Sequence, residues 1–237
     1  MDDFTPARRT LILAAGALGL GAATLRVRAD DDADEEGGEV TANEDLMREH
    51  GIIRRALMVY GDIARRARKA PASVPLDGLR DTARLFREFA QDYHERGLEE
   101  AHIFPAVRKL NGRVATLPDV LLAQHQRGRE ITDYLLRVGG SRPLDDSGAQ
   151  RLAATLDGFI AMYEPHAARE DTVLFPAWKA ALGPKAYHER GEQFEDLEHK
   201  MFGHDGFDEA RKRIARIEKT LHLTDLAAFT APPPPAL

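Results

Sequence analysis

The sequence predicts an all-α protein, an up-down-up-down four-helix bundle with additional C-terminal helices. Three observations predict it. Apolar residues recur at spacings of 4, 3, 4 and 3 in successive segments, the period of a bundle helix. Strand-like runs of Val, Ile and Thr are nearly absent, and aromatic residues are only 7% of the chain. Proline and glycine gather at a few points and cut the chain into helix-length pieces.

The first helix starts at Thr41 or Asn43, both good N-caps, with Glu44 and Asp45 in its first turn. Its seam is Leu46, His50, Ile53, Leu57 and Tyr60, and a basic run from Arg65 to Lys69 ends it before Pro71 and Pro75. The second helix runs from Leu76 or Asp77 to Phe104, where Pro105 disfavours further helix, with a seam of Leu79, Ala83, Phe86, Ala90 and Tyr93. Asn111-Gly112 closes the hairpin. The third begins near Leu117-Pro118, aligns Leu121, His125, Gly128, Thr132 and Leu135, and stops at Gly139-Gly140 and Pro143. The fourth aligns Leu152, Leu156, Phe159, Tyr163, His166, Glu170 and Val173. Two shorter helices, about 185–201 and 207–221, should pack on the outside of the bundle, and the Ala231-Pro-Pro-Pro-Pro end suits frayed polyproline.

The N-terminus is read apart from the fold. Arg8-Arg9 precedes an apolar, Gly/Ala-rich run from Leu11 to Leu25, and Val27-Arg28-Ala29 offers small residues at a cleavage site. Residues 1–29 therefore read as a twin-arginine signal peptide, which makes the protein periplasmic or otherwise exported. The run is short for a membrane span and broken by glycines, so no membrane attachment is expected after cleavage. Removing these residues takes away four arginines and two aspartates, so the formal charge of −6 becomes −8. Residues 30–40 read as an acidic linker, 41–180 as the bundle, 181–229 as a helical extension and 230–237 as a proline-rich tail. The acidic balance gives no basic footprint, which excludes nucleic acid as a partner. With no cysteine in the chain, thiolate ligation and disulfides are impossible, and any metal must be held by nitrogen and oxygen.

Two phrases about seventy residues apart carry the chemistry. His94-Glu95-Arg96-Gly97-Leu98-Glu99 leads to Phe104-Pro105, and His166-Ala167-Ala168-Arg169-Glu170 leads to Phe175-Pro176. Another histidine lies one helical hairpin upstream of each: His50 is 44 residues before His94, and His125 is 41 before His166. A lone histidine on an apolar face is usually a satisfied core residue. Four of them, one per helix and together with carboxylates, would cost roughly several kcal/mol each to bury unless paired, and a cluster of cations pairs them all. Mixed imidazole and carboxylate ligation favours a dinuclear iron centre, with manganese next.

On these residues the chain resembles the hemerythrin-type (HHE) cation-binding proteins over about residues 43–177. That pattern is a histidine in the first helix, His then Glu in the second, a histidine in the third and His-x-x-x-Glu in the fourth, with Leu-Phe-Pro or Ile-Phe-Pro after the second and fourth. The resemblance implies a metal site of His50, His94, Glu99, His125, His166 and Glu170. It further implies two iron ions (Fe2+/Fe3+), oxo- or hydroxo-bridged, with the second- and fourth-helix carboxylates between them and one open position for dioxygen. The second helix departs from the pattern. Glu99 is five residues after His94, which in an ideal α-helix turns it about 140° away. A π-bulge near Gly97 would restore the alignment, and Glu99 lies five before Phe104 as Glu170 lies five before Phe175. Glu95 is a further candidate ligand, since some hemerythrin-like iron sensors use a His-Glu pair followed by another Glu.

The family's oxygen carriers have a second third-helix histidine four residues after the first; here that position is Arg129. The reading is therefore an exported non-haem di-iron protein that binds dioxygen or a related small ligand such as nitric oxide or peroxide. A metal- and oxygen-binding protein is favoured over an enzyme. The alternatives are a di-iron enzyme acting on peroxide or nitric oxide, and an iron sequestration or sensing protein.

Overall fold

The computed structural model describes residues 40–141 and 143–235. The expected signal peptide and nearly all of the acidic linker lie outside the described residues. Six helices make up the described chain: α1 (Ala42–Lys69), α2 (76–107), α3 (Leu117–Gly139), α4 (146–182), α5 (Pro184–Phe202) and α6 (Gly206–Leu221). No strand occurs among the described residues.

Short connections return each of the first four helices beside its predecessor, and the cross-contacts give the directions. His50 meets His94 and Tyr60 meets Phe86, so α1 and α2 are antiparallel. Glu100 meets His125 and Gln91 meets Thr132 across α2 and α3. His125 meets His166 across α3 and α4, while α4 closes the ring on α1 through Asp171 with His50 and Phe159 with Tyr60. The core between them holds Tyr60, Phe86, Phe159 and Tyr163 in edge-on and tilted contacts, the arrangement that aromatic quadrupoles favour.

The start of α1 is a full capping box. The Thr41 hydroxyl accepts from the Glu44 N–H, and the Glu44 carboxylate accepts from the Thr41 N–H at 2.9 Å. The two outer helices lie on α1 and α2, and α5 also packs on the end of α4. On α5, Phe194 stacks on Trp178 and the Tyr187 hydroxyl accepts from the Asn43 N–H at 2.7 Å. On α6, Glu218 takes an ion pair from Arg55, and the Leu221 carbonyl accepts from Arg66.

Neither Phe-Pro is a stop. The helix of α2 continues through Phe104–Val107, and that of α4 through Phe175–Leu182, with the proline in the first turn of each continuation. The reason is a wide turn just upstream. Phe86–Ile103 and Glu170–Leu174 are π-helical, and each closes with an i→i−5 bond: Phe104 N–H to the Glu99 carbonyl, Phe175 N–H to the Glu170 carbonyl. A proline deletes one donor and crowds the carbonyl four residues back. Where the regular ladder is already opened, that loss is tolerated. The same turn shifts the register beyond Glu170. Val173, which regular spacing puts in the seam, is 43% exposed, and Leu174 is buried in its place.

Candidate metal centre

With i→i+5 bonding, residues five apart on α2 stack as residues four apart do on an α-helix. His94 and Glu99 therefore face inward together, Nε2 to Oε1 at 3.5 Å. The π-helical stretch contains Gly97, as the spacing requires, but this glycine does not adopt a left-handed backbone. A Cβ there would stand 3.2 Å from Leu197 Cδ2, so Gly97 lets α5 approach.

The six residues of the two phrases and their upstream histidines meet at the centre of the bundle. Donor atoms of Glu99, His125, His166 and Glu170 lie within 4.8 Å of one another, and so do those of His50, His94 and Glu99. The imidazoles converge in pairs, His50 Nε2 to His94 Nε2 at 3.0 Å and His125 Nε2 to His166 Nε2 at 3.1 Å. Glu99 faces both pairs, Oε1 toward His94 and Oε2 at 3.4 Å from His125. Glu170 Oε2 is 3.1 Å from His166 and 3.6 Å from His50. All six are buried.

The outer nitrogen of each ring is held by a neighbouring helix. His94 Nδ1 lies 2.5 Å from Glu49 on α1, and His125 Nδ1 lies 2.9 Å from Glu100 on α2. His166 Nδ1 is 2.8 Å from Gln124 on α3, and His50 Nδ1 is 2.6 Å from Asp171 on α4. The four contacts run once around the bundle, and each anchor is the chain neighbour of an inward-facing residue: Glu49 of His50, Glu100 of Glu99, Gln124 of His125, Asp171 of Glu170. The sequence reading missed all four. The signal available was that adjacency, because two consecutive helix residues point roughly 100° apart and reach two different neighbours.

This arrangement fits a cation. Each Nδ1 faces an oxygen that accepts, so each ring donates from Nδ1 and leaves Nε2 for a proton or a cation. Two lone pairs at 3.0 Å repel unless a proton or a cation lies between them. Both oxygens of Glu99 and both of Glu170 are buried without any hydrogen-bond partner. Buried carboxylate oxygens are rarely left so.

The buried charges of the cluster act on one another. Burial opposes charge on Glu99, but the neighbouring His94 and His125 together hold its carboxyl well below the usual range. Burial and the Glu99 charge push Glu170 well above it. Burial also opposes protonation of His94 and His125. The surrounding carboxylates outweigh it, lifting His94 well above the usual imidazole value and His125 to about 10. His166 goes the other way, lowered to about 4 by burial and then by the His125 charge.

Glu95 stands beside this set. Its Oε1 accepts from the Tyr163 hydroxyl at 2.7 Å and its Oε2 from Arg129 at 3.2 Å, and Arg129 also pairs with Glu100. With Glu100 and His125 it forms a further close group of donors. Tyr163 reaches Glu95 only because residue 128 is glycine; a Cβ there would be 2.1 Å from the hydroxyl. His102 does not join the centre. It accepts from Arg190 on α5. Of the polar cluster on α5, Glu192, Glu195 and His199 are exposed, while Glu198 is buried and accepts from the Phe207 N–H at 2.6 Å.

A family model for the hemerythrin HHE cation-binding domain matches residues 41–178. Uncharacterized proteins of Mycobacterium bovis and Mycobacterium tuberculosis are 40% identical over 201 residues, which is 84% of this chain and 78% of theirs. No solved structure gives a significant match.

Proposed function

The chain belongs to the hemerythrin HHE cation-binding family, and we propose that it is a non-haem dinuclear iron protein which binds dioxygen or a related small ligand. One observation carries this reading: two pairs of convergent imidazole nitrogens share a carboxylate whose oxygens both lack partners. The proposed ligands are His50 and His94 for one ion and His125 and His166 for the other, with Glu99 and Glu170 between them. Bound iron would supply redox chemistry and affinity for the small ligand. The protein's part is to hold the rings by their Nδ1 atoms, keep the cluster dry and balance its charge. Glu95, with both oxygens engaged by Tyr163 and Arg129, is assigned to the surroundings of the site rather than to the ions.

Metal analysis after folding in iron-rich medium should return close to two irons per chain, and a protein without iron would overturn the reading. An absorption band that appears in air and reverses under argon supports binding of dioxygen. Sustained loss of peroxide or nitric oxide over many turnovers would instead favour the enzyme. His102→Ala should leave metal and spectrum unchanged.

The Arg8-Arg9 start further supports export in folded form, with iron inserted before competing metals are met. An Arg8→Lys/Arg9→Lys variant should accumulate inside the cell with residues 1–29 still attached. Unchanged export and cleavage would refute this part.

A further inference from the structure

A second group of acids lies between α1 and α5, beside the centre and joined to it only through Glu49. Asp45 and Glu49 stand one turn apart on α1, and Glu195 and Glu198 face them from α5, with Asp205 just beyond. A cavity of about 10 Å³ opens here, lined by Asp45, Glu49 and Glu195 together with Leu98 and Phe194. It has room for about one water molecule.

Glu49 joins this cavity to the centre. Its side chain is fully buried. One oxygen, Oε2, holds the Nδ1 of His94, and the other, Oε1, has no hydrogen-bond partner. Nothing in the anchoring of His94 needs that second oxygen. A buried carboxylate oxygen left bare on the lining of a water-sized gap is a site for a positive charge in passage.

The acids also crowd one another. Asp45 is raised to about 6, by burial and then by the Glu49 charge, against which only Arg48 acts. Glu198 is raised to about 7 by burial, with Glu49, Asp45 and Asp205 adding to the repulsion. Among the described residues, the only donor groups close enough to hold an ion are those at and beside the centre. The acids of the gap form no such group, so they do not make a holding site of their own.

We propose that the gap between α1 and α5 is the route by which divalent cations reach the centre, gathered at its mouth by Asp45 and the exposed Glu195 with Glu198 nearby, shedding water there, and passed inward along Glu49. This rests on the reading of the centre as a cation site. The acids act on the rate of filling and not on the final occupancy, since none of Asp45, Glu195 and Glu198 is among the proposed ligands.

The test follows Co2+ loading of the metal-free full chain by its visible absorption, at low and high salt. Glu195 is exposed, so Glu195→Gln and Glu195→Lys leave the fold intact; Asp45→Asn/Glu195→Gln removes more of the charge. Glu130→Gln, on the outer face of α3, is the control. The double variant should load ~10-fold more slowly at low salt, the size that electrostatic steering reaches, with the difference shrinking as salt screens it. Stoichiometry and final spectrum should equal those of the parent and of the control. Loading at the parent rate, or an equal loss in the control, overturns the route. A lowered final occupancy also overturns it, because the acids would then belong to the site itself. If the parent chain takes up no Co2+ or Fe2+, the reading of the centre has failed, and that is visible before any variant is made.

Discussion

The two halves of the bundle present the same candidate ligands in different surroundings. In the first half, His50 and His94 are both anchored by carboxylates, Asp171 and Glu49, and the α1–α2 face is covered by α5 and α6. In the second half, His125 is anchored by Glu100 but His166 by the neutral amide of Gln124. The partners of that pair also differ in charge: against burial, Glu95 and then Glu100 raise His125 to about 10, while burial and then the His125 charge lower His166 to about 4. The duplication repeats the ligands, and the residues next to them set their charge.

The largest effects should come from groups that belong to both halves. Glu99 sends one oxygen to each imidazole pair, so Glu99→Ala should leave the chain with neither ion by metal analysis. His166→Ala should do the same, because it strips Glu170 of its nearest partner, and Glu170 also faces His50. If His166→Ala retains one tightly bound ion, the halves are independent sites and the comparison breaks. Next in size are the anchors. Removing the partner of a ligating histidine typically costs ~10- to 100-fold in metal affinity, so Glu49→Ala and Glu100→Ala should each weaken binding by that much in a chelator competition. The anchors' pull on protons has a further consequence. Filling the centre at pH 7 should release a proton from His125, whose value of about 10 keeps it protonated before metal binds. Loading in a weakly buffered solution would measure it, and no acidification would contradict the directions given.

The bundle was legible in the sequence because its seams are regular: Leu46 to Tyr60 and Leu121 to Leu135 are buried at the spacing that marks them. The centre was legible because ionisable residues break those apolar stripes. Two features were hidden by the assumption of a uniform helical period. The wide turn at Glu170–Leu174 exchanges Val173 for Leu174 in the core, and the continuation past Pro105 and Pro176 follows from the same kind of turn. The spacing of five between His94 and Glu99 did signal the first wide turn; the spacing of four between His166 and Glu170 gave no such sign for the second. The anchors were hidden for another reason. Glu49, Glu100, Gln124 and Asp171 read as ordinary polar neighbours until the helices are assembled, since each acts on a ring of a different helix.

A smaller effect should follow at Gly128, which leaves room for the Tyr163 hydroxyl on Glu95. Gly128→Ala should destabilise the fold by about 1–3 kcal/mol, the usual cost of overpacking. It should also move Tyr163 and free one Glu95 oxygen. Tyr163→Phe removes the same hydrogen bond without overpacking, so a comparison of the two by denaturant titration separates the steric part. Equal losses would show that the hydrogen bond, and not the close approach, sets the glycine.

The smallest expected effect bears most directly on the difference between the halves. Gln124→Glu gives His166 the kind of anchor that the other three histidines have. In the parent chain His166 has a folded value of about 4, below its unfolded value of about 6.5. Between those limits the unfolded chain binds a proton that the folded chain does not. The stability from this group is therefore present above about pH 6.5 and lost as pH falls toward 4. A carboxylate on Nδ1 would favour the imidazolium and raise the folded value. The acid-side loss should then shrink, by about 1.4 kcal/mol for every pH unit that the folded value climbs. Melting temperatures of metal-free parent and variant from pH 8 to pH 4 would show it, with ring nitrogen shifts reporting the titration of His166 itself. His125 provides the opposite limb, since its raised value favours the folded chain below about pH 6.5 and that stability is lost toward pH 10. That limb should be the same in both proteins. If the variant leaves the acid limb unchanged as well, burial and the His125 charge alone keep His166 neutral, and the missing fourth carboxylate is not what distinguishes the two halves.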